Sequence, residues 1–172
     1  MVDPKWRALT AITVAILLVG CSSTSQSTDT PCDLYLNASS RVNPDSNARP
    51  APILVGIYGL KSTAAFEAGG FSALQDNAKT TLGDDLVSFE QVILLPGEHR
   101  LIQRTASAQT RALGIVAGYR ELNGSVWKTT LALPARDGTS IFSFRPFSPE
   151  QLTVRVKLNE NGLAVEALDR TH

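Results

Sequence analysis

Few side chains in this 172-residue chain could carry acid–base, nucleophilic or metal chemistry: two His, two Cys and the adjacent carboxylates Asp84-Asp85. His99 follows Pro96-Gly97-Glu98, and no second His or Cys stands at ligand spacing, so the pattern argues against a metal site. It reads as an exposed residue at the start of a strand. Adjacent residues of an extended chain point to opposite faces, and Gly83 marks a turn, so Asp84 and Asp85 read as a solvated turn rather than an acid–base pair. Cys32 would need a neighbouring base to become a thiolate, and only His99 could serve. It reads instead as a small apolar residue of a core strand. There is no Gly-x-Ser-x-Gly, no glycine loop shaped for phosphate and no basic stripe interleaved with aromatics. Sixteen Lys and Arg balance sixteen Asp and Glu, which gives no bulk attraction to nucleic acid. The chain therefore reads as a non-enzyme without cofactor or metal.

Cys21 has a different chemistry. Lys5 and Arg7 precede an apolar stretch, residues 8–19, which is shorter than the roughly 20 residues of a membrane-spanning helix. That is the layout of a signal peptide, residues 1–20. Its end, Leu18-Val19-Gly20-Cys21, resembles the lipobox of bacterial lipoproteins, in which the Cys is acylated and becomes the first residue. Loss of Asp3, Lys5 and Arg7 with the leader moves the net charge only from zero to −1. Acyl chains, at roughly 0.8 kcal/mol per buried methylene, then hold the domain at a membrane without any further apolar face. By resemblance to such lipoproteins, Ser22 in place of Asp after the Cys implies export to the outer membrane, with the domain facing the periplasm. Committing Cys21 to lipid leaves Cys32 without an intrachain partner. Residues 21–31 are polar and Ser/Thr-rich, as expected of a flexible lipidated tether ahead of a domain over 32–172.

The elements of that domain follow from short alternating segments broken by Gly, Pro and Asn. Strands are expected at 32–39, 53–60, 86–95, 98–104, 110–121, 126–133, 141–144, 151–158 and 163–168. In the segment 151–158, Leu152, Val154, Val156 and Leu158 face one way while Thr153, Arg155 and Lys157 face the other. Pro96-Gly97 marks a tight turn, and Asn123-Gly124 reads as a two-residue hairpin, as Asn161-Gly162 reads as a turn. Only 62–81 looks helical, split by Gly69-Gly70. About nine strands with one short helical insertion imply an all-β sandwich, since parallel crossovers would need a helix between successive strands. Trp127 reads as a core or sheet-face residue.

Residues 41–52 are long for a connection between sandwich strands and hold three Pro and two Arg. Prolines lower the entropy lost on binding, so this loop could present Asn43, Asp45 and Arg49 as a stiff polar finger; a plain solvated turn is the alternative. If successive strands alternate in direction, the connections after the first, third and fifth strands emerge at one end: residues 41–52, 96–98 and 122–125. The helical insertion then lies at the other end.

Asn43-Pro44-Asp45, Arg49-Pro50-Ala51-Pro52 and Val55-Gly56-Ile57-Tyr58-Gly59-Leu60-Lys61 together resemble the TssJ (SciN) outer-membrane lipoproteins of type VI secretion systems. Phe66, Phe71 and Leu74, Leu95-Pro96-Gly97-Glu98, Gly114-Ile115-Val116-Ala117-Gly118-Tyr119-Arg120 and Trp127-Lys128 follow in the same order. Departures are Ala48 where the family often has Gly, Gly56 for Arg, Gly59 for Gln, and Lys128 for Arg. The resemblance implies a transthyretin-like two-sheet sandwich on the outer membrane. Its implied partner is the periplasmic C-terminal region of TssM, an inner-membrane protein. On that reading Asn43, Pro44, Asp45, Arg49 and Pro50 bind the partner with Pro96, Gly97, Glu98, Asn123 and Gly124. A rival reading is a periplasmic inhibitor or carrier, which a hydrophobic cavity would favour; a hydrolase using Asp84, Asp85 or His99 is the weaker rival.

Overall fold

Cys32, Leu34, Leu36 and Ala38 are buried, while on the other face Pro31, Tyr35 and Asn37 reach solvent and Asp33 is covered, with Gln151 donating to its carboxylate. This period of two defines β1 (Thr30–Ala38), which begins inside the segment expected to be tether. The computed structural model describes residues 29–133 and 151–168. It continues through β2 (Ile53–Leu60) into three short helices, α1 (Ala64–Ala68), α2 (Phe71–Asp76) and α3 (Ala78–Leu82). A 3-10 turn (Gly83–Asp85) leads to β3 (Leu86–Leu94) and β4 (His99–Ala106). Then come β5 (Ala112–Ala117), a 3-10 turn (Leu122–Gly124), β6 (Lys128–Ala132), β7 (Leu152–Leu158) and β8 (Leu163–Leu168).

The strands form two four-stranded sheets, β4-β1-β7-β8 and β3-β2-β5-β6, an all-β sandwich as expected. Every pairing is antiparallel except β1 with β7, where Leu34 faces Val154 and Leu36 faces Val156. Between the sheets Leu34, Leu36, Val154 and Val156 meet Ile53, Val55, Ile57 and Ile115, all without solvent exposure. Burial of each such side chain contributes roughly 1.5–3 kcal/mol, which is the main support of the sandwich.

The second sheet has a further layer. The outward residues of β2 and β5, Tyr58, Leu60, Ala112 and Val116, are covered by Phe66, Leu74, Ala78 and Leu82 of the helices. Phe66 lies so close over Gly114 that a Cβ there would stand 2.7 Å from its ring, so this strand position requires glycine. Tyr58 donates its hydroxyl to the Leu74 carbonyl at 2.9 Å and meets Phe66 edge-on at 5.2 Å. Lys128 closes the C-terminal end of α1, where its Nζ donates to the carbonyls of Phe66, Glu67 and Gly69 at 3.2, 2.6 and 2.8 Å. Burial lowers the pKa of that ammonium, and the ring of Trp127 lies 5.0 Å away.

Three expectations change. The strand expected over 110–121 is confined to Ala112–Ala117: the Gly118 N–H still bonds the Leu54 carbonyl of β2, and the chain then turns so that Arg120 bonds the loop end described below. The Asn123-Gly124 hairpin is absent: both residues lie in a 3-10 turn, neither has positive φ, and a ten-residue connection joins β5 to β6. Tyr119 and Val126 account for this, since both are drawn across to the β7–β8 turn. The strand expected at 141–144 lies outside the described residues.

Candidate functional site

β1 and β7 run parallel, and the pairings of the other strands make the eight alternate in direction. The connections after β1, β3, β5 and β7 therefore emerge together. Backbone hydrogen bonds tie them into one surface: Gly97 N–H to Ser39 C=O at 3.1 Å, Ser39 N–H to Leu158 C=O at 2.8 Å, and Asn43 N–H to Glu160 C=O at 3.3 Å.

The first connection, residues 39–52, is rooted by Val42 and Ala51, both buried. Between them Asn43 takes a positive φ of 51° and is 4% exposed. Its Nδ2 donates to the Pro52 carbonyl and its Oδ1 accepts the Arg120 N–H, each at 2.8 Å. Asparagine suits this place, since it tolerates left-handed backbone and its amide satisfies buried main-chain groups on both sides. Asp45 organises the outer half. One carboxylate oxygen accepts the N–H groups of Asn47 and Arg49 at 2.9 Å, and the other takes the Arg49 side chain at 2.8 Å from Nε and from Nη2. These bonds, the Arg49 backbone N–H first, hold the Asp45 carboxyl below its usual pKa. Ala48 also has positive φ, 58°. Ser46, Asn47, Ala48, Arg49 and Pro50 are exposed.

Leu95-Pro96-Gly97-Glu98 is a type II turn: Glu98 N–H bonds Leu95 C=O at 3.0 Å, with Pro96 at the first central place and Gly97 at φ 78°. The Glu98 carboxylate accepts the Leu95 N–H at 2.8 Å and pairs with Arg100, so it too is held below its usual pKa. The third connection gives the buried Tyr119, whose hydroxyl donates to the Asn159 carbonyl at 3.2 Å. The fourth, residues 159–162, carries Glu160 in an ion pair with Arg41. A shallow groove lined by Ser39, Arg41, Val126 and residues 159–163 runs between the first, third and fourth.

All ten residues expected to bind a partner thus lie at one end, but not in equivalent positions. Arg49, Pro50, Gly97, Asn123 and Gly124 are exposed, and Pro44, Asp45, Pro96 and Glu98 are half-buried. Asn43 is the correction: it is spent inside the loop and offers no free side chain, because two main-chain groups already use its amide. The fourth connection was missed. Strict alternation over the nine expected strands puts Asn161-Gly162 at the opposite end, whereas the parallel β1–β7 pair puts it here.

The candidates for chemistry are scattered. His99 begins β4 beside the loop end, with its Nδ1 3.0 Å from Asn37 Oδ1, whereas Asp84 and Asp85 precede β3 at the opposite end, about 26 Å away along a nine-residue strand. Cys32 is fully buried, and burial pushes its thiol up to about 11, which leaves it unreactive. Among the described residues no cluster of His, Cys, Asp and Glu could hold a metal ion, and no helix is long and apolar enough to cross a membrane.

Residues 30–161 match the family described as Type VI secretion lipoprotein, VasD, EvfM, TssJ. The T6SS lipoprotein TssJ1 from Pseudomonas aeruginosa is 32% identical with a TM-score of 0.73, over 84% of this chain and 100% of that one. Serratia marcescens Lip, a membrane-bound component of the type VI secretion system, is 27% identical with a TM-score of 0.69, over 83% of this chain and 99% of the other. A structure of the T6SS protein TssM C-terminal domain from EAEC contains a chain sharing the fold at 20% identity and a TM-score of 0.59, over 81% of this chain and 99% of that chain. No curated protein matches.

Proposed function

The chain belongs to the type VI secretion lipoprotein family, and from that premise we propose that it is a non-enzymatic scaffold, anchored through acylated Cys21 to the periplasmic face of the outer membrane. On this reading its loop end binds the periplasmic C-terminal region of TssM, so that the pair bridges the envelope. The observation that carries the reading is the construction of the loop end. Four connections are cross-bonded into one surface, and its outermost loop is held in shape by Asn43 and Asp45 while Arg49 and Pro50 stay exposed. A loop already ordered loses little entropy on binding, which is what a docking surface requires. The separation of His99 from Asp84 and Asp85 supports a binding role over a hydrolytic one.

Deleting the loop is a poor test, because Asn43 also supports Arg120. Charge reversal at the tip is better. With the purified TssM periplasmic region in solution, Arg49→Glu should weaken binding by at least about tenfold, a typical cost for a central charged contact. Unchanged affinity, with an unchanged far-ultraviolet dichroism spectrum, overturns the assignment of the site.

A further inference from the structure

The direction of β1 fixes which end of the domain the lipid can reach, and from it we infer that the loop end is held on the side facing away from the membrane, where it meets an aqueous partner domain standing off the bilayer. The inference rests on acylation of Cys21. Asp29 is the first residue described, and its carboxylate accepts the Ala108 N–H at 3.2 Å, in the turn joining β4 to β5. The tether therefore enters at the end that also carries Ser62, Asp84 and Gln109, opposite the four connections. From Thr30 to Ala38 the nine-residue strand rises about 26 Å, before residues 39–52 add to its height.

Cys21 and Asp29 are eight residues apart, so even fully extended the chain between them covers at most about 29 Å. Turning the domain over to put its loops on the lipid would consume nearly all of that contour. Laying it on its side would press a mixed-charge face against the headgroups. The outer face of the β4-β1-β7-β8 sheet carries Glu166 beside Lys157 and one exposed apolar pair, Tyr35 against Leu101, and the helical side carries exposed Glu67, Asp76 and Lys79. A single exposed apolar pair among mixed charges is neither a basic cluster nor a broad apolar face of the kind that binds membranes. An upright domain presents Arg49 and Pro50 to water, within reach of a soluble domain and out of reach of one embedded in the same bilayer.

The test uses the full, lipid-modified chain reconstituted in phosphatidylcholine vesicles containing doxyl-labelled lipid as quencher. A dye is placed on Ser46→Cys or on Gln109→Cys; buried Cys32 stays unlabelled. Quenching of emission at Gln109→Cys and none at Ser46→Cys is the expected result. Equal quenching at both, or quenching at Ser46→Cys alone, with the protein floating with the vesicles, overturns the orientation and leaves the anchor standing. Failure to float overturns the anchor and the orientation with it.

Discussion

Over the outer face of β2 and β5 the helices bring Phe66, Leu74, Ala78 and Leu82 onto Tyr58, Leu60 and Val116, and all are buried. At the loop end the same chain is closed by short polar side chains: Asn43 holds Pro52 and Arg120, Asp45 holds Asn47 and Arg49, and Glu98 holds Leu95 and Arg100. Both additions fix otherwise irregular backbone. Apolar closure hides the side chains that do the fixing, so the helical layer is structure turned inward. Polar closure needs only one or two buried atoms per loop and leaves the remaining surface exposed. A partner can therefore use the loop end without ordering it first.

The most severe way to break the contrast is Phe66→Ala. It removes the ring that covers Gly114 and meets Tyr58, and should cost about 3–5 kcal/mol, as for other buried aromatics. Urea unfolding should show that loss in the midpoint, while affinity for the TssM region changes only through the fraction folded. A specific loss of affinity in the folded variant would mean that the helical layer, not the loop end, is the docking surface.

Asn43→Ala attacks the other closure. It leaves the Arg120 N–H and the Pro52 carbonyl unpaired and puts alanine in left-handed backbone, at a cost of about 2–3 kcal/mol. Asn43→Gly separates the two causes, since it removes the same hydrogen bonds but suits the positive φ. If denaturant midpoints place the glycine variant level with the alanine one, the strain relieved does no more than offset glycine's greater freedom in the unfolded chain. If both match the parent, the loop is not supported as described.

Why 32–39 and 151–158 could be read so closely is physical: each buries one row between two sheets, so period two survives in sequence, whereas 53–60, buried on both faces, shows as an apolar run. The helical insertion was also legible, through its glycine break and its apolar spacings. The loop end was legible only as an address. Placing it by parity assumes that successive strands alternate in direction, and over the nine expected strands that rule displaces Asn161-Gly162 from the end where the parallel β1–β7 pair puts it. Asn43 shows the deeper limit. A polar residue in a proline-rich loop looks the same in sequence whether it faces a partner or the backbone of Arg120, seventy-seven residues on. The departure noted at Ala48 did carry information, since the positive φ found there is one that glycine suits.

Ala48→Gly is accordingly the substitution that should sharpen the loop rather than break it. Relieving left-handed alanine gains about 1 kcal/mol, from which glycine's greater freedom in the unfolded chain subtracts part. The expected result is a raised midpoint, corresponding to a few tenths of a kcal/mol of unfolding free energy, with affinity for the partner held. A lowered midpoint would show that the unfolded-state term exceeds the strain.

The mildest distinction between the two regions is their response to acid. The Asp45 and Glu98 carboxyls are held below their ordinary values of 3.8 and 4.5, in each case first by a backbone N–H and then by an arginine. A depressed carboxylate supports the fold fully above its ordinary value and loses that support as pH falls through the lowered one. Both loops should therefore loosen only below about pH 4. The helical layer rests on apolar contact and on the Lys128 ammonium, which acid leaves charged. Backbone amide resonances of Asn47, Arg49 and Leu95 should shift together in that range while those of Phe66 and Leu74 stay. Because each carboxylate is the acceptor its amides depend on, a titration that moves Arg49 and Leu95 no more than Leu74 would mean that the N–H groups, not the charges, set the loop geometry.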